Sequence, residues 1–489
     1  MLSAEPSQKL QVENSLELKE IQGIIVSGYG HLSHSKYLFM QIEDAEKAKD
    51  WLRSLLKNHH ITSAQWDTKP SVAVNLALTY TGLQKLNGSE DLLKSFPKEF
   101  VEGMTTPKKS EQLGDLGINA PQYWDTPWKP ESKAVDLLLI LQASAEALDA
   151  LSAEYERQLE PNGLKLLTLE TGYIPTDSKE HFGFHDSISQ PIIEGSPQER
   201  KLSSSAQDLT KAGEFVLGYL NEDGNYPSTP TVPASQDKTH ALPLLPETAL
   251  KDFGRNGSYF VFRKIAQDVA GFRRYFQESF STPEERILMM SKVVGRWPSG
   301  APLVQAPEAD PLGDRLPEND FLADHNDFTY RTEDPQGFRC PFSSHIRRTN
   351  PRDSLGQDVG ESIKSSRRRR LLRRGAVYGD PLPQGVTEDD GQARGLLFFC
   401  INANIRRQFE FVQQSWVNAP TFNGLYDERD PLVGHNPDDS PRTMVIPQTP
   451  LSRSLSLPNF VTLKGGAYFF LPSLSALNFL AAASVQVQP

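Results

Sequence analysis

Short runs of β-forming residues, each followed by a stretch with apolar residues at helical spacing, recur along this chain, and its second half repeats the grammar of its first. Tyr37 to Ile42 reads as a strand, and Ala45, Ala48, Trp51, Leu52 and Leu55 then mark one helix face. SVAVNLALTY reads as a second strand, with a helical stretch at TGLQKLNG. Val135–Gln142 is an almost wholly apolar strand before the helical ASAEALDALSAEYERQL. In the second half, GEFVLGYL and GSYFVFRKIAQDV start β-like, and the latter continues as a helix through Phe276. GLLFFCINANI passes into a helical RRQFEFVQQSWVN, and the chain closes with a strand in FVTLKGGAYFFLP and a short helix in SLSALNFLAAA. Strand, helix, strand with helices of similar length predicts an α+β fold, its antiparallel sheets flanked by helices.

A chain of 489 residues holds two or three domains, or two large ones. Its 51 Lys and Arg against 62 Asp and Glu leave a net charge of −11, which argues against nucleic acid as a partner. The two cysteines, Cys340 and Cys400, are too few for a disulfide scaffold, a thiolate zinc site or a Cys-ligated iron–sulfur cluster. The N-terminus lacks a basic start and apolar run, and Pro472 interrupts the apolar stretch from Tyr468 to Val485. The expectation is a cytoplasmic chain with no membrane partner, with secretion by an unmarked route as the alternative. Two irregular regions, about 220–248 and 298–366, are long enough to be functional or disordered.

Dinucleotide, P-loop, hydrolase-elbow and zinc signatures are missing from the sequence, so three polar clusters carry the chemical argument. In HFGFHDSISQP, Asp186 sits between aromatics and a turn-forming segment, where a carboxylate is either a cap or an acid–base group tuned by its surroundings. His181 and His185 have ligand-like spacing, but packed histidines are the commoner outcome. In RCPFSSHIRRTNPRD, His345 stands beside Arg347, Arg348 and Arg352. That grouping suits an iron porphyrin, which takes an axial imidazole and guanidinium partners for its acid groups. In SSRRRRLLRRGAVYGD, Arg367–Arg370 reads as a solvated or partner-binding face. Arg373 and Arg374 follow two leucines, so one of them is placed to point inward and offset negative charge.

These segments resemble the dye-decolorizing peroxidases. The likeness is carried by FGFHDSISQP, CPFSSHIRRTNPR, LLRRGAVYG and GLLFFCINANIRRQFEFVQQSWVN, together with IQGIIVSGYG, AVNLALTYTGL, GRNGSYFVFRKIAQDV, GRWPSGAPL and FVTLKGGAYFFLPSLSAL. It spans about Ile21 to Ala483 and is closest to the larger, fungal and bacterial branch. The resemblance implies two ferredoxin-like domains of the dimeric α+β barrel type, with haem b held mainly by the C-terminal half. Its expected division is an N-terminal extension at 1–20, a first domain at 21–210 with the distal Asp motif, and a second at 211–489.

By the same resemblance, His345 is the axial iron ligand, Asp186 the distal acid–base group and Arg373 the distal arginine. Leu396 and Phe398 line the peroxide pocket, and Ser187, Ile188, Ser189, Asn350, Pro351, Arg352, Arg347 and Arg348 fall at or beside porphyrin-contacting positions. Asp430 is expected to pair with the proximal histidine, with Glu428 as competitor. Ser187 departs from the family motif, which has Gly there; a position needing positive φ would strain a Ser. The implied reaction uses hydrogen peroxide to oxidise dyes, phenols and other bulky aromatics, in a monomer or homodimer. The alternative is a haem carrier or iron-handling protein without turnover. Trp416 and Tyr378 are candidate surface electron-transfer residues, against the reading that both are core.

Overall fold

The computed structural model describes residues 15–86, 89–132, 134–201, 208–313, 315 and 326–482. Most of the expected N-terminal extension, residues 1–14, lies outside them. The first half contributes β1 (His34–Ile42), β2 (Val72–Leu78), β3 (Leu137–Ala143) and β4 (Leu164–Tyr173). The second contributes β5 (Ser258–Gln267), the short β6 (Leu372–Arg373) and β7 (Ala376–Tyr378), then β8 (Gly395–Asn402) and β9 (Val461–Leu471).

All nine strands form one antiparallel sheet, ordered β4-β1-β3-β2-β9-β5-β8-β7, with β6 also along β8. With β6 and β7 counted as one interrupted strand, each half has the order fourth-first-third-second. Within a half the ladders run the length of the strands. Between halves, registered contact narrows to Phe470 with Leu78 and Val377 with Tyr173, and these two seams close the sheet into a barrel.

The barrel has a packed interior. Phe399 stacks on Tyr37 at 4.7 Å and on Phe260 at 4.8 Å, while Phe39 meets Trp128 at 4.7 Å. Aromatic pairs of this kind add to the stabilisation from burying their area. Every residue of β3 is buried, because the first-half sheet is covered outside as well as inside. The outer cover comes from α1 (Ala45–Lys57) and α2 (Ala145–Leu159). Asp44 caps α1 by accepting the N–H groups of Glu46 and Lys47, and the helix buries Ala48, Trp51, Leu52 and Leu55 as its spacing predicts.

The second half links its strands through longer chain. Between β5 and β6 lie α3 (Val269–Ser279), α4 (Pro283–Val294), α5 (His345–Thr349) and α6 (Val359–Arg367). The segment expected to be an ordinary helix after β8 is a wide, π-type helix over 406–417. There the Glu410 N–H donates to Ile405 O at 2.9 Å and the Asn418 N–H to Gln413 O at 3.1 Å. GEFVLGYL, expected to be β-like, is a tight turn and loop. Its Phe215, Val216 and Leu217 are buried, and Gly218 takes φ +89, outside regular strand backbone.

Candidate active site

The loop after β4 carries Asp186 and is pinned to the barrel at several points. The Glu180 carboxylate accepts the N–H groups of Phe182 and Phe184, at 2.9 and 3.0 Å, and the Gln267 side-chain amide at 2.7 Å. Gln267 ends β5, so this carboxylate ties the loop to the sheet. His181 Nε2 lies 2.8 Å from Tyr378 O of β7, and Phe182 stacks on Phe272 of α3 at 4.3 Å. The Asp186 N–H donates to Ser178 O at 2.9 Å. So held, Asp186 Oδ1 accepts from Arg373 Nη1 at 2.7 Å and from the Ser187 N–H at 2.5 Å. Arg373 sits on β6, and its own N–H donates to Gln190 Oε1 at 3.1 Å.

The opposing element is α5, whose first residue is His345. Its Nδ1 lies 2.8 Å from Asp430 Oδ2. Asp430 is fully buried, and its Oδ1 accepts the N–H groups of Leu432 and Val433, both at 2.9 Å. A carboxylate fixed in this way holds the proton on Nδ1 and leaves Nε2 with its lone pair. Glu428, the competitor, turns away: its Oε2 accepts the Val445 N–H at 2.7 Å.

The Asp186, Arg373 and His345 side chains keep 44%, 31% and 30% of their surfaces open, although Asp186 and His345 lie deep among protein groups. That combination places them on the walls of a cleft. They are close enough to shift one another. Burial opposes ionisation of Asp186, but the Arg373 guanidinium, the Ser187 N–H and His345 outweigh it and hold the carboxyl below its usual range. Burial likewise disfavours a charged His345, yet Asp430 pulls its basicity above the ordinary value. Glu180 goes the other way: desolvation, with a contribution from Asp186, pushes it up to about 7 against three hydrogen bonds.

Leu396 and Phe398 are half-buried on the outer face of β8, while Leu397 and Phe399 fill the barrel. Arg373 pairs across the strands with Cys400, which shares their face, so both apolar side chains lie on the Arg373 side of the sheet. Ser187 is exposed at φ +64, so the chain keeps the left-handed backbone here with a Ser. Ile188 and Ser189 are half-buried, and Ser189 Oγ is 3.4 Å from Arg370 Nη2. Asn350 follows α5 with its side-chain amide nitrogen enclosed, and Pro351 is buried.

The three arginines expected near an anion each engage protein groups, one of them a carboxylate. Arg347 lies between the rings of Tyr330 and Phe342, 4.4 Å from each, and pairs with Asp334 at 3.0 Å. Arg348 donates to the carbonyls of Trp416, Glu428 and Ala419 at 2.6 to 2.8 Å. Arg352 stacks on Phe328 and donates to Asn326 and Phe328 O. Spacing alone gave no sign that α5 would be anchored by its own arginines. Trp416 and Tyr378 are 5% and 8% exposed, so neither presents its ring at the surface. Sequence reasoning missed Glu180, Gln190 and Gln267, single polar residues whose partners lie far along the chain.

An imidazole braced by a buried carboxylate and an Asp–Arg pair on the walls of the same cleft, over the outer face of an α+β barrel, define the class of a haem peroxidase. Residues 20–172 match the DyP dimeric alpha+beta barrel domain. Peroxidase 2 of Mycetinis scorodonius is 30% identical, over 95% of this chain and 87% of its own length. A multifunctional dye peroxidase of an Amycolatopsis species is 31% identical, over 76% and 75%. Among solved structures, an ancestral D-type dye-decolorizing peroxidase superposes with a TM-score of 0.77 at 29% identity, covering 96% of this chain and all of its own. A dye-decolorizing peroxidase solved in complex with 2,6-dimethoxyphenol gives 0.75 at 26%, with the same coverage.

The chain belongs to the dye-decolorizing peroxidases and is an oxidoreductase of that family. The residues present fit the family's haem: an imidazole whose Nδ1 is held by Asp430, leaving Nε2 as the nitrogen to bind, an apolar wall from Leu396 and Phe398, and an acid–base pair within electrostatic reach. No helix among the described residues is long and apolar enough to cross a membrane.

Proposed function

We propose that this protein binds haem b through His345 Nε2 and uses Asp186 and Arg373 to turn over hydrogen peroxide, with dyes and phenols as reductants. Haem, when bound, supplies the redox chemistry: it takes two electrons' worth of oxidation from peroxide and returns it to donors one electron at a time. Asp430 keeps the Nδ1 proton of His345 in place and raises the basicity of Nε2. Asp186, ionised in mild acid because Arg373 holds its carboxyl low, accepts the proton of an incoming peroxide and hands it to the departing oxygen. Arg373 offsets the negative charge that gathers there. Leu396 and Phe398 narrow the approach so that a small oxidant is favoured over a bulky one.

The observation that carries the reading is the pairing of Asp186 with Arg373 in a cleft that also exposes His345, since a carrier needs neither distal group. The test is an absorption spectrum of the purified protein before and after haem, then after hydrogen peroxide with 2,6-dimethoxyphenol. A Soret band on haem addition, with peroxide-dependent phenol oxidation, is the expected result. Haem uptake without turnover makes the protein a carrier, and no uptake removes His345 as a ligand.

A further inference from the structure

Arg373 and Arg374 are neighbours in the chain, but only the first takes part in the peroxide chemistry. Arg373 reaches Asp186, whereas Arg374 donates to the carbonyls of Ile24 at 2.7 Å, Ile25 at 3.0 Å and Arg373 at 3.0 Å. A guanidinium carries five N–H groups, so these bonds leave two of them for another acceptor. The carbonyls satisfy hydrogen bonds but bring no net charge, and among the described residues no carboxylate offsets the cation. Burial pushes the Arg374 guanidinium down to about 10, opposed only by the Tyr29 phenol, which burial itself keeps neutral. A cation set deep in protein without a counter-ion is costly.

Arg374 nevertheless keeps part of its surface open, and that surface faces a cavity of about 140 Å³. Gly28, Gln190, Gln198, Ile192 and Leu372 complete its principal lining. A water takes roughly 30 Å³ in the liquid, so the space holds a small molecule rather than a single solvent. Its walls are divided. Gln190 Oε1 accepts the Arg373 N–H at 3.1 Å, which leaves the Gln190 amide N–H groups as donors beside Arg374. Gln198 Nε2 donates to Val26 O at 3.3 Å. Ile192 and Leu372 make the wall apolar elsewhere. Gly28 is exposed, which puts it at the mouth, and a Cβ there would stand 3.8 Å from Arg374 Cδ and Nη1.

One cation calls for one negative charge, and two N–H groups of a guanidinium match the two oxygens of a carboxylate. An apolar wall calls for a tail: a halide leaves it unused, and a phosphate dianion brings a charge too many. We propose that this cavity binds a short monocarboxylate of about two to four carbons, its carboxylate on the remaining N–H groups of Arg374 and its alkyl end against Ile192 and Leu372. The site does not rest on the peroxidase reading, since neither His345 nor Asp186 lines it.

The test is a calorimetric titration of the purified full-length protein with sodium propionate, ionic strength held constant with sodium chloride. The Soret band of the haem-loaded form is recorded alongside. Saturable binding with no Soret change is expected. From acetate to butyrate, affinity should rise roughly fourfold per methylene as each is taken out of water. Removing Arg374 would also remove its bonds to Ile24 and Ile25, so the deciding variant is Gly28→Val. The Gly28 φ lies outside the left-handed region, so the backbone accepts a side chain, and valine fills the mouth with the arginine in place. This variant should bind propionate at least about tenfold more weakly, with the unfolding midpoint of the unliganded protein unchanged. Unchanged binding in Gly28→Val, absence of saturation, or binding that comes only with a Soret change overturns the site. Affinity that does not depend on chain length overturns it too, because a loose surface ion pair would behave that way. A protein that takes up no haem but binds propionate as described keeps this site and loses the peroxidase reading.

Discussion

In the first half the chain leaves β1 at Ile42 and reaches β2 at Val72, and it leaves β3 at Ala143 and returns as β4 at Leu164. The main element in each link is one helix with a buried apolar face: α2 packs on β1, β3 and β4, and α1 packs against the C-terminal helix at 474–482. In the second half the same strand order is kept, but the first link runs from Gln267 to Leu372 and the other from Asn402 to Val461. These longer links carry α3 to α6, the wide helix and the Asp430 loop, and with them His345 and its carboxylate partner. A cleft results on one half of a barrel whose two halves share a topology. Short helical links cover the fold; long links on the same scaffold carry the groups of a site.

The largest break in that comparison comes from Asp186→Asn. It is expected to lower peroxide turnover by roughly 10²- to 10⁴-fold while the fold and haem uptake persist. A loss under tenfold in stopped-flow peroxide kinetics would remove Asp186 as the acid–base group. Leu52→Ala, on the first half's fitted helix, should do the reverse: cost about 2–5 kcal/mol of stability in denaturant unfolding and leave kcat of the folded enzyme unchanged. If it altered kcat, the halves would be coupled and the division of labour wrong.

Asp430→Asn tests the brace on His345. Haem affinity should fall about 10- to 100-fold in a competition titration, with little change in the unfolding midpoint of the apoprotein. A smaller effect is expected from Glu180. Its carboxyl stays protonated in the folded protein up to about 7, whereas it ionises from about 4.5 once exposed. Between those values the folded chain holds more protons, so stability falls as pH rises through this window. In Glu180→Gln the midpoint should fall less over the same range; an unchanged slope would mean that the carboxyl titrates normally. The smallest change is Ser187→Gly, which relieves a left-handed Ser and should stabilise the protein by about 1 kcal/mol. A destabilised variant would show that the Ser side chain is needed there.

Much of this was legible in the residues. Ala48, Trp51, Leu52 and Leu55 declared the buried face of α1, and the unbroken apolar run of β3 declared a strand covered on both sides. Asp186, Arg373 and His345 stood out because polar groups in apolar or Gly- and Pro-rich settings are costly unless they have partners. The arginines beside His345 show how little a residue type by itself says about its partner. A guanidinium satisfies itself equally well on an anion, a ring of carbonyls or a pair of aromatic faces, and sequence does not say which is near. Arg347 found Asp334 between two rings, and Arg348 found the carbonyls of the wide helix and the Asp430 loop.

The sequence by itself determined the alternation of strands and helices, the repeat between halves and the residue types of the site, because periodicity and local chemistry are properties of neighbours in the chain. Tertiary structure alone decided that the strands of the two halves meet at Leu78 with Phe470 and Tyr173 with Val377 to close one barrel. It also decided that Asp430 rather than Glu428 braces His345, and that Glu180 fastens the Asp186 loop to β5. Those pairings join residues far apart along the chain. Which of several chemically equal partners is reached depends on how the loops pack, and no local pattern encodes that.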